Sequence, residues 1–530
     1  MLVHSFLEAA AARFPDKTAL ICDGRRLTYG ELNALADHLG ASLVERGIQR
    51  QDRVVIFLDN SVESVISIYA VLKAGGVMVA LHAGMKAEKL GFILKDSGAR
   101  AVITHVAKAS IVKDALTHAP DVKHILWCGK GASTAPPRMD AGHSESWDSI
   151  FSGKDPLLQL PDIGIIDLDL AAIIFTSGST GEPKGVVSAH YNIVAVATSI
   201  ATYLKNRQDD IILSTLPLSF GYGLYQLFVT PVFCGTLVLE KSFVFPMKIV
   251  ERLVQEKVTG FPLVPTIAAI LFQMESLSKY DFSALRYITN AAAALPVSYI
   301  QKLQALFPEV AIFSMYGMAE CTRALYLPPE ELGLRPASVG IPIPNEEVFI
   351  VDKNGKKVGP GETGELVVRG LNVMQGYWNR PEETARTFRT GKYRGEALLY
   401  TGDLFRKDDE GFLYFVSRKD DMIKTRGERV SPKEIENALC FMPGVVEVAV
   451  LGVTDDILGQ AIKAYIVSEK GISLTSDEVM KYCSKNLEAF MVPKYVEFRQ
   501  SLPKSLNGKI DKKLLSGAVG DNEKIEQVRN

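Results

Sequence analysis

The stretch Ile173-Ile-Phe-Thr-Ser-Gly-Ser-Thr-Gly-Glu-Pro-Lys-Gly-Val-Val187 constrains this chain more than any other. Residues 171–175 read as a buried strand. The strand stops at residues 176–185, a run of hydroxyls, glycine, glutamate, proline and lysine, and a β-branched pair follows. With no Cβ at Gly178, Gly181 and Gly185, the backbone can approach a ligand closely, and free N–H and O–H groups can face phosphate oxygens. The run is not a Walker A loop, because Gly185 rather than Ser or Thr follows Lys184 and no glycine directly precedes that lysine. On composition alone it is either a polyanion cradle or a surface hairpin.

The chain around it alternates strands and helices. Thr28-Tyr-Gly-Glu31 is a capping-box pattern that starts a helix carrying Leu32, Leu35 and Leu39 on one face. Residues 53–58 read as a short buried strand. Ser61 caps a helix with Val62, Val65, Ile66 and Tyr69 at helical spacing, Gly75-Gly76 ends it, and residues 77–81 form the next strand. This rhythm recurs at 101–104 and implies a layered α/β domain with a mostly parallel sheet. Residues 129–146, rich in Gly, Ser, Pro and Ala, read as a surface loop.

Farther along, strands at 211–216, 287–289 and 312–315 run into the loops Pro217-Leu-Ser-Phe-Gly-Tyr-Gly223, Asn290-Ala-Ala-Ala-Ala-Leu-Pro296 and Tyr316-Gly-Met-Ala-Glu-Cys321. Ligands of open α/β sheets bind beyond the carboxyl ends of the strands, so these loops predict one shared site. From Val339 onward, alternating runs separated by Asn354-Gly355 and Pro360-Gly361 read as a mainly antiparallel β subdomain. The charged stretch Arg418-Lys-Asp-Asp421 marks a domain boundary. Ser431-Pro-Lys-Glu434 then reads as a capping box with proline at the first helical position. Strands at 446–453 and 462–467, a helix from about Asp477 and a basic tail complete a small α+β domain.

Composition narrows the function classes. A chain of 530 residues is too long for one core and implies roughly three domain-sized units. A net charge of −2 supplies no electrostatic attraction to nucleic acid or an anionic membrane. The six cysteines are scattered without a C-x-x-C pair, which suits reduced thiols in a cytoplasmic protein. Residues 1–14 lack the basic flank of a secretion signal. The apolar stretches 65–82 and 224–239 are broken by Gly or Pro and read as helix, turn and strand rather than membrane spans.

Five stretches in this order resemble the adenylate-forming superfamily of acyl-CoA synthetases, peptide-synthetase adenylation domains and luciferases. They are Thr176-Ser-Gly-Ser-Thr-Gly-Glu-Pro-Lys-Gly185, Tyr316-Gly-Met-Ala-Glu320, Tyr400-Thr-Gly-Asp403, Ser417-Arg-Lys-Asp-Asp421 with Lys424-Thr-Arg-Gly427, and Pro503-Lys-Ser-Leu-Asn-Gly-Lys-Ile-Asp511. The resemblance covers essentially the whole chain and is closest in type to an acyl-CoA synthetase. It implies an α/β fold with a large N-terminal domain, residues 1–419, made of two layered α/β subdomains (about 1–190 and 191–335) and a β-barrel-like subdomain (about 336–419). A small mobile α+β domain, residues 420–530, would carry the catalytic lysine, with its hinge at Asp420.

The implied chemistry is attack of a carboxylate on the α-phosphate of ATP, giving acyl-AMP and pyrophosphate, then displacement of AMP by a thiol. By resemblance, Thr176, Ser177, Gly178, Ser179, Thr180, Gly181 and Lys184 hold the β- and γ-phosphates. Glu320 ligates Mg²⁺, Asp403 and Arg418 bind the ribose, and Tyr316 stacks on adenine beside Gly317, Met318 and Ala319. Lys509 bridges the carboxylate and the α-phosphate. The hinge then presents the loop of Lys424, Arg426 and Gly427 to the thiol of coenzyme A or of a carrier-protein phosphopantetheine.

Three positions depart from the common family pattern. Ala319 replaces a threonine that touches the AMP phosphate, removing a hydrogen bond worth roughly 0.5–1.5 kcal/mol. Ala292 and Ala293 replace a Gly-Gly pair beside the adenine and acyl pocket. Gly221 stands where peptide-synthetase domains carry an Asp for the amino group, and a buried ammonium without a partner is disfavoured. Phe220, Gly221, Tyr222, Gly223, Asn290, Ala291, Cys321 and Arg323 are the expected acyl pocket, with Arg323 either pairing with a polar group on the acid or structural. The leading expectation is an AMP-forming CoA ligase for a fatty, aryl or other non-amino acid. Alternatives are an enzyme loading a carrier protein, a luciferase-type oxidase, a P-loop hydrolase or kinase, and a degenerate nucleotide-binding protein.

Overall fold

Short β-branched and aliphatic runs alternating with amphipathic helices pair in parallel, because each helix carries the chain back across the sheet face. The computed structural model describes residues 1–129, 137, 143–151, 159–177, 183–274, 276–293, 295–425, 428–455, 458–505 and 509–517. Two large sheets result. The seven-stranded sheet runs His143–Ser146, His124–Cys128, Ala99–His105, Arg53–Phe57, Val77–Ala80, Leu170–Ser177, Pro183–Ala189. All of its pairings are parallel except the last, the antiparallel hairpin that flanks the glycine-rich run.

The nine-stranded sheet has a parallel centre of Ala311–Tyr316, Tyr287–Asn290, Gly260–Leu263, Ile211–Ser214 and Thr236–Leu239. Its first two strands in chain order are Thr18–Cys22, which pairs in parallel with Thr236–Leu239, and Arg25–Thr28. The expected first subdomain of about 1–190 is corrected accordingly: its N-terminal hairpin belongs to the second sheet. Residues 143–146, expected in a loop, are an edge strand.

One large core joins the two sheets. Val54 and Ile56 point into it together with Leu39, Val65 and Ile193 from the helices Tyr29–Glu45, Val62–Lys73 and His190–Tyr203. Val55 and Phe57, on the opposite face of the same strand, enter a second cluster with residues of the helices Ala87–Ser97 and Ala109–Leu116. The capping box expected at Thr28 is formed, and Ser61 caps its helix as expected, with Ser64 completing a box. The stretches 65–82 and 224–239 are helix, turn and strand, and among the described residues no helix is long and apolar enough to cross a membrane.

The strands Glu346–Val351, Gly364–Gly370, Phe388–Thr390, Ala397–Lys407 and Leu413–Arg418 form an antiparallel sheet branched at Ala397–Lys407. Its strand Leu413–Arg418 also bridges Gly340 through Leu413, next to the short strand Ile341–Pro342. The small domain pairs Val445–Asp455 with Gly459–Ser468 and packs the helices Pro432–Leu439 and Ser476–Asn486 on them. Ser431 departs from its expected role. It makes no cap bond; its hydroxyl donates to Val416 O at 2.7 Å, tying the small domain to the strand before the boundary. Tyr299 Oη donates to Val446 O at 2.8 Å as a second tie.

His4 and His190 sit edge to face in the core at 5.8 Å, and Val3 N donates to His190 Nδ1. Burial pushes both imidazoles from 6.5 down to about 4, helped by Lys73 at His4 and by His4 at His190. The unfolded chain therefore takes up protons that the fold refuses, and stability falls as pH drops from about 6.5 towards 4, by on the order of a few kcal/mol. A urea midpoint that stays flat between pH 6.5 and 4.5 would contradict this.

Candidate active site

The carboxyl ends of Tyr287–Asn290 and Ala311–Tyr316 lie on one edge of the parallel sheet, because neighbouring residues pair in register along both strands. The turn after Ala311–Tyr316 is tight. A Cβ on Gly317 would sit 2.2 Å from Thr322 O, so only glycine lets the chain close there. Met318 O accepts from the N–H groups of Cys321 and Thr322, leaving Glu320 on the outside of the turn.

A segment that the sequence reading passed over registers this turn against the glycine-rich hairpin. Met374 N donates to Glu320 O; Gln375 N donates to Val187 O, Val187 N to Gly376 O, and Trp378 N to Gly185 O. Tyr377 Oη donates to Glu320 Oε1 at 2.6 Å, and the Tyr377 ring lies 5.8 Å from Lys184 Nζ. Lys184 pairs with Glu383, and Thr176 Oγ1 approaches Lys184 O at 3.4 Å. Gly178, Ser179, Thr180 and Gly181 lie outside the described residues, as does the side chain of Ser177.

Asp403 forms the opposite wall. It is 8% exposed, accepts from Tyr316 Oη at 2.6 Å and lies 3.3 Å from Arg418 Nε. Burial holds its carboxyl above the usual range against the pull of Arg418 and Tyr316. Its Oδ1 is buried without a hydrogen-bond donor, which fits an acceptor for a ligand hydroxyl.

The small domain delivers Lys509 to the same place. Its backbone O accepts from Ser505 N, and the flanking residues Lys504 and Ile510 bridge. The residue is exposed at the domain surface, yet protein crowds its ammonium across the cleft. Desolvation and then Arg418 push its pKa below the ordinary lysine value, while Asp403 and Glu320 pull it up. Residues from three distant parts of the chain thus share one electrostatic neighbourhood. Among the described residues no group of three or more His, Cys, Asp and Glu could by itself hold a metal. A single carboxylate such as Glu320 fits Mg²⁺, which draws its other ligands from phosphates and water.

Of the residues expected in the acyl pocket, Gly221, Tyr222 and Gly223 are the first turn of the helix Gly221–Val229 rather than a loop, with Phe220 preceding it. Tyr222 Oη meets Thr289 O and Oγ1 at 2.9 and 2.6 Å. Asn290 is buried and donates to Ala293 O; Ala291 is buried and Ala293 exposed. Met318 and Ala319 pack on the core of the antiparallel sheet. Cys321 is corrected: fully buried in that same core beside Val186 and Leu325, it is a packing residue rather than part of an acyl pocket. Asp420 is exposed between Arg418 and the strand Ile423–Thr425, and Lys424 N donates to Gln460 Oε1. Arg426 and Gly427 lie outside the described residues.

The AMP-binding enzyme model matches residues 7–378, and that of the AMP-binding enzyme C-terminal domain matches 434–509. The chain belongs to the AMP-binding enzymes. A long-chain-fatty-acid–CoA ligase of Bacillus subtilis is 32% identical over 99% of this chain and 96% of its own. The anthranilate CoA ligase AuaEII, solved with anthranoyl-AMP, superposes with a TM-score of 0.89 at 26% identity, covering 98% of this chain and 97% of that one. The o-succinylbenzoate CoA synthetase of Bacillus subtilis, solved with its acyl-adenylate, gives 0.83 at 27% identity, covering 98% and 99%. The resemblance to acyl-CoA synthetases thus holds along the whole chain.

Ala292 explains one departure from the family pattern. Its φ is 74°, in the left-handed region that glycine enters freely and alanine does at a penalty of roughly 1–2 kcal/mol. Ala292→Gly is expected to raise stability by up to about 1 kcal/mol after the entropy that glycine adds to the unfolded chain. Thermal unfolding checks this, and a lowered midpoint would refute the strain.

Proposed function

We propose that this AMP-binding enzyme is an AMP-forming acid–CoA ligase. It activates a non-amino carboxylic acid with ATP to acyl-AMP and pyrophosphate, then passes the acyl group to the thiol of coenzyme A. The observation that carries this reading is the convergence of Lys509 with Arg418, Asp403 and Glu320 across the cleft. A carboxylate attacking a polyanion needs positive charge where negative charge accumulates. Lys509 donates to the incoming carboxylate and the α-phosphate while the bond to pyrophosphate breaks. Thr176 and Lys184 steady the leaving pyrophosphate, with Lys184 exchanging Glu383 for phosphate oxygens.

Asp403 accepts from the ribose hydroxyls through Oδ1, which faces Arg418 but takes no hydrogen bond, and Tyr316 flanks the adenine. Glu320 holds Mg²⁺, which neutralises phosphate charge when bound. Gly221 presents no carboxylate at the start of its helix, and a Cβ there would meet open space, so an α-amino group finds no partner. The relatives named above are ligases of coenzyme A with acids that are not α-amino acids, which supports both the acid class and the thiol.

A carboxylic-acid panel scored for pyrophosphate release with and without coenzyme A tests the reading. Acid-dependent pyrophosphate without a CoA thioester would transfer the second step to a carrier-protein thiol. Lys509→Gln is expected to lower adenylation about 10²–10³-fold and to spare thioester formation from preformed acyl-AMP; equal loss of both half-reactions would remove Lys509 from its role. Asp420→Pro, at the proposed hinge, is expected to slow the thioester step far more than adenylation, as single-turnover assays of each half-reaction would reveal.

A further inference from the structure

Among the described residues of the large domain, the buried lysine and arginine are Lys73 and Arg323. Lys73 pairs with Glu8 and Asp37. Arg323 is buried to 3% exposure, and among the described residues no carboxylate forms an ion pair with it. Its Nε is buried without a hydrogen-bond partner. Its guanidinium lies 5.2 Å from the centre of the Tyr222 ring and faces the Tyr203 hydroxyl, both neutral groups. Neither nearby carboxylate pairs with it, although Oε1 of Glu346 is itself buried without a hydrogen-bond partner. Glu320 takes the Tyr377 hydroxyl, while Glu346 faces Asn372, and burial holds its carboxyl well above the usual range.

The position is held firmly. Thr322 adopts a left-handed φ of 58°, and Ala324 N donates to Tyr316 O, so the turn that delivers Arg323 is pinned to the strand leading to the nucleotide side. Tyr222 is held at the other end by Thr289. The Tyr225 hydroxyl, from the same helix, is buried beside Thr322 and Cys321 without reaching hydrogen-bond geometry. Beside Tyr222 there is therefore a buried guanidinium with no carboxylate partner among the described residues. A buried, unpaired charge is strongly penalised, and the planar fork of arginine matches a carboxylate through two parallel hydrogen bonds.

We propose that Arg323 is a specificity residue that pairs with a second carboxylate on the acid, so that the preferred substrates are dicarboxylic or carboxylate-bearing aryl acids activated at their other carboxyl group. The inference rests on the ligase reading and on Tyr222 lining the acyl side. A site built around a buried polar group discriminates strongly against analogues that leave it unpaired.

The test compares matched acids: glutarate and adipate with pentanoate and hexanoate, and isophthalate and terephthalate with benzoate, with long-chain fatty acids alongside, all scored by pyrophosphate release and CoA thioester. The best diacid is expected to exceed its monoacid about 100-fold in kcat/KM. Arg323→Gln is expected to abolish that preference by lowering the diacid selectively, and Arg323→Lys to retain part of it. A purely structural role would lower both sets alike, and that result overturns the inference. If Arg323→Gln is insoluble, Arg323→Lys decides by the same ratio. Thioester from monoacids alone overturns this inference and leaves the ligase reading standing; pyrophosphate from no acid removes the ligase reading and this one with it.

Discussion

The site depends first on a short run of backbone pairing. Residues 374–378 exchange hydrogen bonds with the strand Pro183–Ala189 on one side and with Glu320 O on the other. Through that clamp the glycine-rich hairpin of one sheet, the turn after the other sheet and the antiparallel subdomain become a single frame. Backbone bonds suit this task because they set register without the rotamer freedom of long side chains. Asn192 strengthens the join by donating to Leu371 O and Val373 O from the helix His190–Tyr203. Tyr377 then projects from the clamp with its ring towards Lys184 and its hydroxyl on Glu320.

The charged groups of the cleft are held by one another. Lys184 meets Glu383, Arg418 meets Asp403, and Glu320 accepts from Tyr377. Binding a nucleotide therefore exchanges partners rather than burying bare charge, and the donors are oriented in advance, which is the condition for electrostatic stabilisation of a transition state. Lys509 is the late arrival. It belongs to a domain joined to the rest through bonds such as Ser431 to Val416 and Tyr299 to Val446.

Much of this was legible in residues close together in the chain. The hydroxyl- and glycine-rich run, Glu320 after Tyr316-Gly317, Asp403 and Lys509 are local patterns, and the capping box at Thr28 and the cap at Ser61 formed as expected. Tyr377 and Glu383 were not legible. An isolated tyrosine and a helical glutamate carry no local signal, and their roles exist only because residues 374–378 cross to Pro183–Ala189. The N-terminal hairpin was misassigned for the same reason, since Leu20 pairs with Leu237 across the sheet. Ser431 looked like a cap, but a tertiary acceptor at Val416 O competed for its hydroxyl. Cys321 shares a turn with Glu320 yet points into the core, because successive residues of a tight turn face different ways.

The sequence by itself determined the family, the reaction class and the order of the elements, because phosphate-binding turns and strand edges are short-range devices whose residues need no distant partner to be recognised. Tertiary structure alone decided which charges answer one another. It brought Lys509 to Arg418, Asp403 and Glu320, gave Lys184 and Asp403 their partners, and left Arg323 buried with no carboxylate partner among the described residues. Charge pairing is a property of distances in space, and at these positions the partners lie tens to hundreds of residues apart or are absent.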